Sequence, residues 1–360
     1  MNHLSLSIAH IALRLECPDT AFLQQLLQER YEAFVSAEEP SPHIRIRLQP
    51  TANPPTRARI ESVKVRPAEG GWRFVYDTFV ADVTANADSA EVTCLHSPYA
   101  VDSFLRALLA LYLPQRDGVM IHASALRYGG RGYLFAGRSG AGKSTVARLL
   151  CNLAEVLSDE LVAVRRTAEG WQVYGTPFWG DFARAGANLH APLHAIYLLK
   201  HASQHRVEPL PRGDALRALL QCSLQFAEGA QVAEWMLNVV SALARDVPAY
   251  RLHFLPDPGF WQQIKPPPCL HASRHRRGRP PCLPLINRRP ITGNHRGIAP
   301  TATCLPIATP VGADPRVCPI ANPLFVGAGV ASGTLSEKGI PVQTHNVPRE
   351  NCPASHTLWR

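Results

Sequence analysis

Eight consecutive residues, Gly137-Arg138-Ser139-Gly140-Ala141-Gly142-Lys143-Ser144, match the pattern G-x-x-x-x-G-K-[ST] in full. Glycines at these places let the backbone curl around phosphate oxygens and offer successive N–H groups without interference from Cβ atoms. A helix opening at the end of the motif adds its positive N-terminal end. Lys143 can then set its ammonium between a β- and a γ-phosphate, Ser144 can ligate Mg²⁺ through its hydroxyl, and Thr145 closes the nucleotide-binding stretch. The motif demands an apolar strand before it and an amphipathic helix after it, and the sequence offers both. That context argues against a chance match in a glycine-rich loop.

Two residues flank the loop at informative distances. Asp159 lies 16 residues after Lys143, room for one helix and a short strand, and it closes the apolar run EVLS. A carboxylate there can hold Mg²⁺ or take a proton from an attacking hydroxyl. The plainer alternative is an Asp in a surface turn. His122 lies 15 residues before Gly137, in the run GVMIHASALRY. Gly129-Gly130 favours a hairpin that returns the chain beside the loop. A lone His in an apolar strand is more often a satisfied core residue, so position alone gives His122 no chemistry. No LSGGQ-like signature follows the loop and no N-K-x-D motif is present, which speaks against a transporter ATPase and a standard GTPase. Adenine and guanine are not separated by any local signature.

These groups need a frame. Residues 118 to about 264 read as α/β: the hairpin strands, a loop helix over about 143–153, strand–turn–strand in EVLSDELVAVRR, a strand in LHAIYLL, helices in DALRALLQCSL and AEWMLNVVSALARDV, and a last strand in AYRLHFL. Residues 97–117 read as a linking helix. Ser97 suits its N-cap and Pro98 its first turn, Val101, Phe104, Leu105, Leu108 and Tyr112 share one face, and Pro114 stops it. Residues 1–96 read as a smaller β-rich module. HIRIRL alternates at period two, and NPP and AEGG separate the later runs, as in a half-buried antiparallel meander.

Composition sets further bounds. The longest strongly apolar run, residues 107–113, is far short of the roughly 20 residues of a membrane span, so no membrane partner is expected. The first residues lack a basic n-region with an uninterrupted apolar core, so no secretory signal is read there. Nine cysteines without a Cys-x-x-Cys pair point to a reducing cytoplasm. The net charge of +9 belongs almost wholly to residues 265–360; the first 264 residues are close to neutral, and the folded part is not expected to bind nucleic acid. That tail holds 16 of the 32 prolines and 5 of the 9 cysteines without sustained periodicity, and is expected to be disordered. Its stretches GNHRGIAPT, VGADPRVCP and LFVGAGV resemble peptides produced when bacterial intergenic repeats are read as protein, which points to a frameshift or read-through product; the plainer alternative is a genuine disordered basic tail. The basic run RHRRGR (274–279) lies in it. His201 and His205, four apart in HASQH, read as a solvated turn rather than a metal site, since no third ligand is near.

The stretches IHASAL, GYLFAGRSGAGKST and VLSDELVAV together resemble the catalytic domain of bacterial HPr kinase/phosphorylase, which is similar in fold to ATP-dependent phosphoenolpyruvate carboxykinase. The resemblance implies ATP and Mg²⁺ as cofactors. It makes His122 the active-site His, Lys143 the loop Lys, Ser144 a Mg²⁺ ligand, and Asp159 the carboxylate that serves as base in phosphorylation. The family usually carries a double Asp, and Ser158 stands where its first Asp often lies. For the family's later Glu, a second Mg²⁺ contact, Asp181 is the nearest candidate and Gln172 another. The C-terminal loop that gives the family its phosphorylase activity and HPr contact is not recognisable. The expectation is therefore an ATP-dependent kinase acting on a hydroxyl of an unidentified protein, peptide or small molecule, with a homo-oligomer allowed by the family's ring assemblies. Two other readings stay open, a nucleotide-binding regulatory or scaffold protein without transfer activity and a P-loop ATPase.

Overall fold

Seven strands and a buried helix make up the first part of the chain. The computed structural model describes residues 2–37, 41–56, 60, 62–179 and 186–264. The tail from residue 265 and the candidate Asp181 both lie outside the described residues. The first sheet comprises β1 (His3–Ile8), β2 (Ile11–Glu16), β3 (Ile44–Thr51), β4 (Lys64–Ala68), β5 (Gly71–Tyr76), β6 (Phe79–Thr84) and β7 (Ser89–Leu95), with the short helix α1 (Thr20–Leu26) between β2 and β3. Its strand order is β1-β2-β3-β7-β6-β5-β4. The alternation seen in HIRIRL is real: Ile44, Ile46 and Leu48 are buried and the arginines between them are exposed. The meander expectation holds only for β4 to β7. The β2–β3 and β3–β7 pairs are parallel, so the sheet is mixed.

The helix α2 (Pro98–Tyr112) does more than link. Twelve of its fifteen residues are buried, including Phe104, Leu105, Leu108 and Leu109, which leaves no solvent face of the kind an amphipathic surface helix keeps. Phe104 meets Phe74 and Phe79 of the first sheet at ring-centroid distances of 5.9 and 5.5 Å. The same apolar cluster takes in Met120, Leu161 and Ala163 of the second sheet. Both sheets thus share a core around α2, each buried large side chain contributing roughly 1.5–3 kcal/mol, and the described residues fall in one compact unit.

The second sheet contains β8 (Gly118–Tyr128), β9 (Arg131–Ala136), β10 (Glu155–Ser158), β11 (Leu161–Thr167), β12 (Gly170–Tyr174), β13 (His190–His201), β14 (Arg206–Pro209) and β15 (Ala249–Phe254). The helices are α3 (Lys143–Leu150), α4 (Arg212–Cys222), α5 (Ala230–Asp246) and α6 (Trp261–Ile264). β8 and β9 form the expected hairpin, closed by Gly129 and Gly130 with φ of +57° and +73°. Those left-handed values suit the twist of a two-residue turn and favour glycine. β8 pairs with β11, β11 with β12, β12 with β13, β13 with β9 and β9 with β8 again, so five strands return on themselves. β9, β13 and β15 run parallel and end on the same side. Among the described residues no helix is long and apolar enough to cross a membrane.

Candidate functional site

The phosphate-loop motif begins where β9 ends. On that side the parallel strands β13 and β15 end as well. The loop runs from Gly137 through exposed Arg138, Ser139 and Gly140 and partly exposed Ala141 to Gly142, which precedes α3. Gly142 sits at φ +101°, and a Cβ there would stand 2.5 Å from the Phe254 ring, so neither the dihedral nor the space admits another residue without strain. Lys143 is buried at the first turn of α3 and its Nζ donates to the carbonyls of Gly137 (3.2 Å) and Arg138 (3.1 Å). The ammonium therefore lies over the mouth of its own loop. Ser144 and Thr145 follow it, both partly exposed.

Strand register brings the other groups to the loop. Ala136, the residue before Gly137, pairs with Ala123 of β8, one residue from His122. On the other side of β8, His122 pairs with Leu161 at the start of β11, and the Ala123 N–H donates to the Glu160 carbonyl at 2.9 Å. Asp159 and Glu160 form the turn between β10 and β11, with Asp159 buried to 2% exposure. A single strand thus threads between the phosphate loop and an acidic turn. Burial pushes the His122 imidazole down to about 4, with Lys143 and then Arg106 adding to the effect. His122 is accordingly neutral at physiological pH.

Two acids stand in this turn, but the second follows Asp159 rather than preceding it. Ser158 is a turn-former: its Oγ donates to the Phe178 carbonyl (3.1 Å) and accepts the Glu160 N–H (3.3 Å). Glu160 was not singled out from sequence. Burial raises its pKa, Arg106 opposes that, and the neighbouring Asp159 carboxylate adds to it. Arg106 also went unnoticed. It projects from α2, donating through Nε to Asp102 Oδ2 (3.0 Å) and through Nη1 to Glu160 Oε1 (3.4 Å), with its guanidinium 5.2 Å from the Phe178 ring centroid. Burial raises the pKa of Asp102, with Arg106 and Arg30 pulling it back. An Asp and an Arg four apart in an otherwise apolar helix were the available signal.

Gln172 does not join the site. It pairs with Arg165, four residues along β11 from the Leu161–His122 row, roughly 13 Å away at strand spacing. His201 and His205 differ from the solvated turn expected of them. His201 ends β13 in register with Phe254, its Nε2 2.9 Å from the carbonyl of Gly140 in the phosphate loop. His205 is mostly buried, with Nε2 2.9 Å from Asp257 Oδ1 and Nδ1 accepting the Leu255 N–H at 3.3 Å. Among the described residues no group of three or more His, Cys, Asp or Glu is placed to hold a metal ion.

A family model described as SynChlorMet cassette protein ScmC matches residues 100–266, a little under half of the chain. The match starts inside α2 and spans the loop, His122, the acidic turn and Arg106, leaving the first sheet outside it. No curated protein matches the chain.

Proposed function

We propose that the chain is an ATP-dependent kinase with a P-loop domain of the HPr kinase/phosphoenolpyruvate carboxykinase type, acting on a hydroxyl of a protein, peptide or small molecule. The observation that supports this reading is the threading of β8, which carries a neutral His122, between the loop that bears Lys143 and the Asp159–Glu160 turn.

Lys143 and the loop amides hold the β- and γ-phosphates. The donor set fits Mg²⁺, which keeps several waters and is bound by few protein groups together with substrate phosphates rather than by a protein cage; Ser144 would be its hydroxyl ligand, with Asp159 kept for the acceptor's proton. When bound, that ion supplies neutralisation of phosphate charge. The acceptor oxygen attacks the γ-phosphorus, the bond from that phosphorus to the β–γ bridging oxygen breaks, and ADP leaves. Asp159 takes the acceptor's proton. His122, uncharged, donates a hydrogen bond to the phosphoryl oxygens without competing with Lys143 for the carboxylates. Arg106 fixes Glu160 beside Asp159. Such catalysis is chiefly positioning and charge stabilisation.

The matched family is described as a cassette protein, so products encoded in the same cassette are the first acceptors to assay. Incubation of the full chain with γ-³²P-ATP and these products should label one of them. Lys143→Ala should abolish nucleotide binding, while Asp159→Asn should keep binding and lower transfer by about two to four orders of magnitude. Free phosphate without a labelled acceptor would make the protein an ATPase, and bound, unreacted ATP a scaffold; either result overturns the kinase reading.

A further inference from the structure

Gly140 and Gly142 are the two loop positions with left-handed backbone, at φ +76° and +101°; a Cβ at Gly140 would meet open space, whereas one at Gly142 would meet Phe254 and His201. The Gly140 carbonyl lies 2.9 Å from His201 Nε2. A carbonyl only accepts, so Nε2 carries the proton in either the neutral or the charged ring. The His201 ring stacks on Phe254 at 5.5 Å between centroids and 23° between planes. Phe254 in turn closes over Gly142, where an added Cβ would lie 2.5 Å from its ring and 3.5 Å from His201 Cε1. The backbone beneath is fixed by pairing of His201 with Phe254 and by the Ala202 N–H donating to the Phe254 carbonyl at 3.2 Å. The outer wall of the phosphate loop is thus a stacked pair carried by two parallel strand ends.

We infer that His201 is a positioning residue for the phosphate loop, its Nε2–H tethering the Gly140 carbonyl outward so that the loop amides stay turned toward an anion. This rests on the reading that the loop holds phosphate. In a trans peptide the C=O and the following N–H point in opposite directions. A carbonyl held outward by His201 therefore turns the Ala141 N–H to the inner side, where it reaches the Arg138 carbonyl at 3.0 Å. Lys143 Nζ bonds that same carbonyl. The loop is braced from inside by its own Lys and from outside by His201. The inner brace must give way when phosphate arrives; the outer one need not. His201 is itself exposed, but its ring covers buried Phe254, so a variant that keeps a ring there separates the loss of the donor from the loss of the stack.

The test is calorimetric titration of the full-length chain with Mg·ATP and, separately, with inorganic pyrophosphate. His201→Phe keeps a stacking ring and loses the donor, His201→Gln keeps a donor without the ring, and His201→Ala loses both. The expected result is a three- to tenfold weaker affinity, on the order of one hydrogen bond, for both probes in the Phe and Ala variants. The Gln variant should recover most of the loss, and the Phe variant, which keeps the ring over Phe254, should keep the wild-type thermal midpoint. Wild-type affinity in His201→Phe, or no recovery in His201→Gln, overturns the inference, as does a loss of affinity in His201→Phe that comes with a fall in thermal midpoint. A wild-type chain that binds neither probe overturns the phosphate-holding reading itself, and this inference with it.

Discussion

Replacing His122 by Asn should remove a specific part of the protein's acid sensitivity. The imidazole is pushed from an ordinary value near 6.5 down to about 4, first by burial and then by Lys143 and Arg106. In the window between those two values the unfolded chain binds a proton at this residue and the folded chain does not. Stability from this group is therefore full above about pH 6.5, falls as the pH drops through the window, and is wholly lost below about 4. At 1.36 kcal/mol per pH unit the complete loss is about 3 kcal/mol, and roughly two thirds of it, about 2 kcal/mol, has occurred by pH 5. Urea unfolding followed by circular dichroism at pH 7, 6 and 5 measures this directly, as the difference in unfolding free energy between wild type and His122→Asn. His10 and His194, whose pKa values burial also lowers, are present in both proteins and cancel. The difference should shrink by about 2 kcal/mol from pH 7 to pH 5. A difference that stays constant over that range would refute the claim that His122 is held neutral in the folded site, and with it the role of an uncharged donor beside Lys143. Lys143→Ala should narrow the window without closing it, because burial is the larger cause.

Two further substitutions probe the site's supports. Arg106→Gln leaves the carboxylates of Asp102 and Glu160 buried without their shared cation and should cost about 3–5 kcal/mol in urea unfolding; Asp102→Asn added to it should return part of that, and a cost below about 1 kcal/mol would show the network to be incidental. Gly142→Ala should lower nucleotide affinity by more than about tenfold through its dihedral and its clash with Phe254. Phe254→Ala in the same chain clears the space but not the dihedral, so calorimetry should find only partial recovery.

What could be read from the sequence was set by contacts close along the chain. The hairpin at Gly129-Gly130 is legible because a two-residue turn with both dihedrals positive admits few other pairs. The loop and its helix are legible for a related reason, since the motif fixes residue types at consecutive positions. The parallel pairing of β3 with β2 and β7 joins strands about thirty and forty-four residues apart, and alternation along one strand carries no record of its neighbour. The helix α1 escaped notice as well, being seven residues held by an Asp19 cap that accepts the Phe22 N–H at 3.0 Å. For α2 the apolar face was visible but its second buried side was not, because that side is set by β8 and β11, which come later in the chain.

The same distinction explains which site residues were missed. Lys143 and Asp159 are picked out by the motif and by spacing from it, and His122 only by the resemblance, whereas Glu160, Arg106 and His201 meet their partners across the fold. Arg106 is the instructive case. A cation and an anion inside a helix otherwise buried on all sides cost desolvation, and an apolar pair of similar volume is often no less stable there. Their presence therefore calls for a reason other than the helix itself. That reason is available fifty-four residues on, where Arg106 Nη1 reaches the Glu160 carboxylate. The helix shared by both sheets thereby holds one wall of the acidic turn, as β13 and β15 hold the outer wall of the phosphate loop. On this reading a substitution such as Arg106→Lys, which keeps the charge but loses the two-pronged geometry, should lower transfer while leaving Mg·ATP affinity within about twofold of wild type. Equal losses in both would mean that α2 braces the whole site rather than its acidic side.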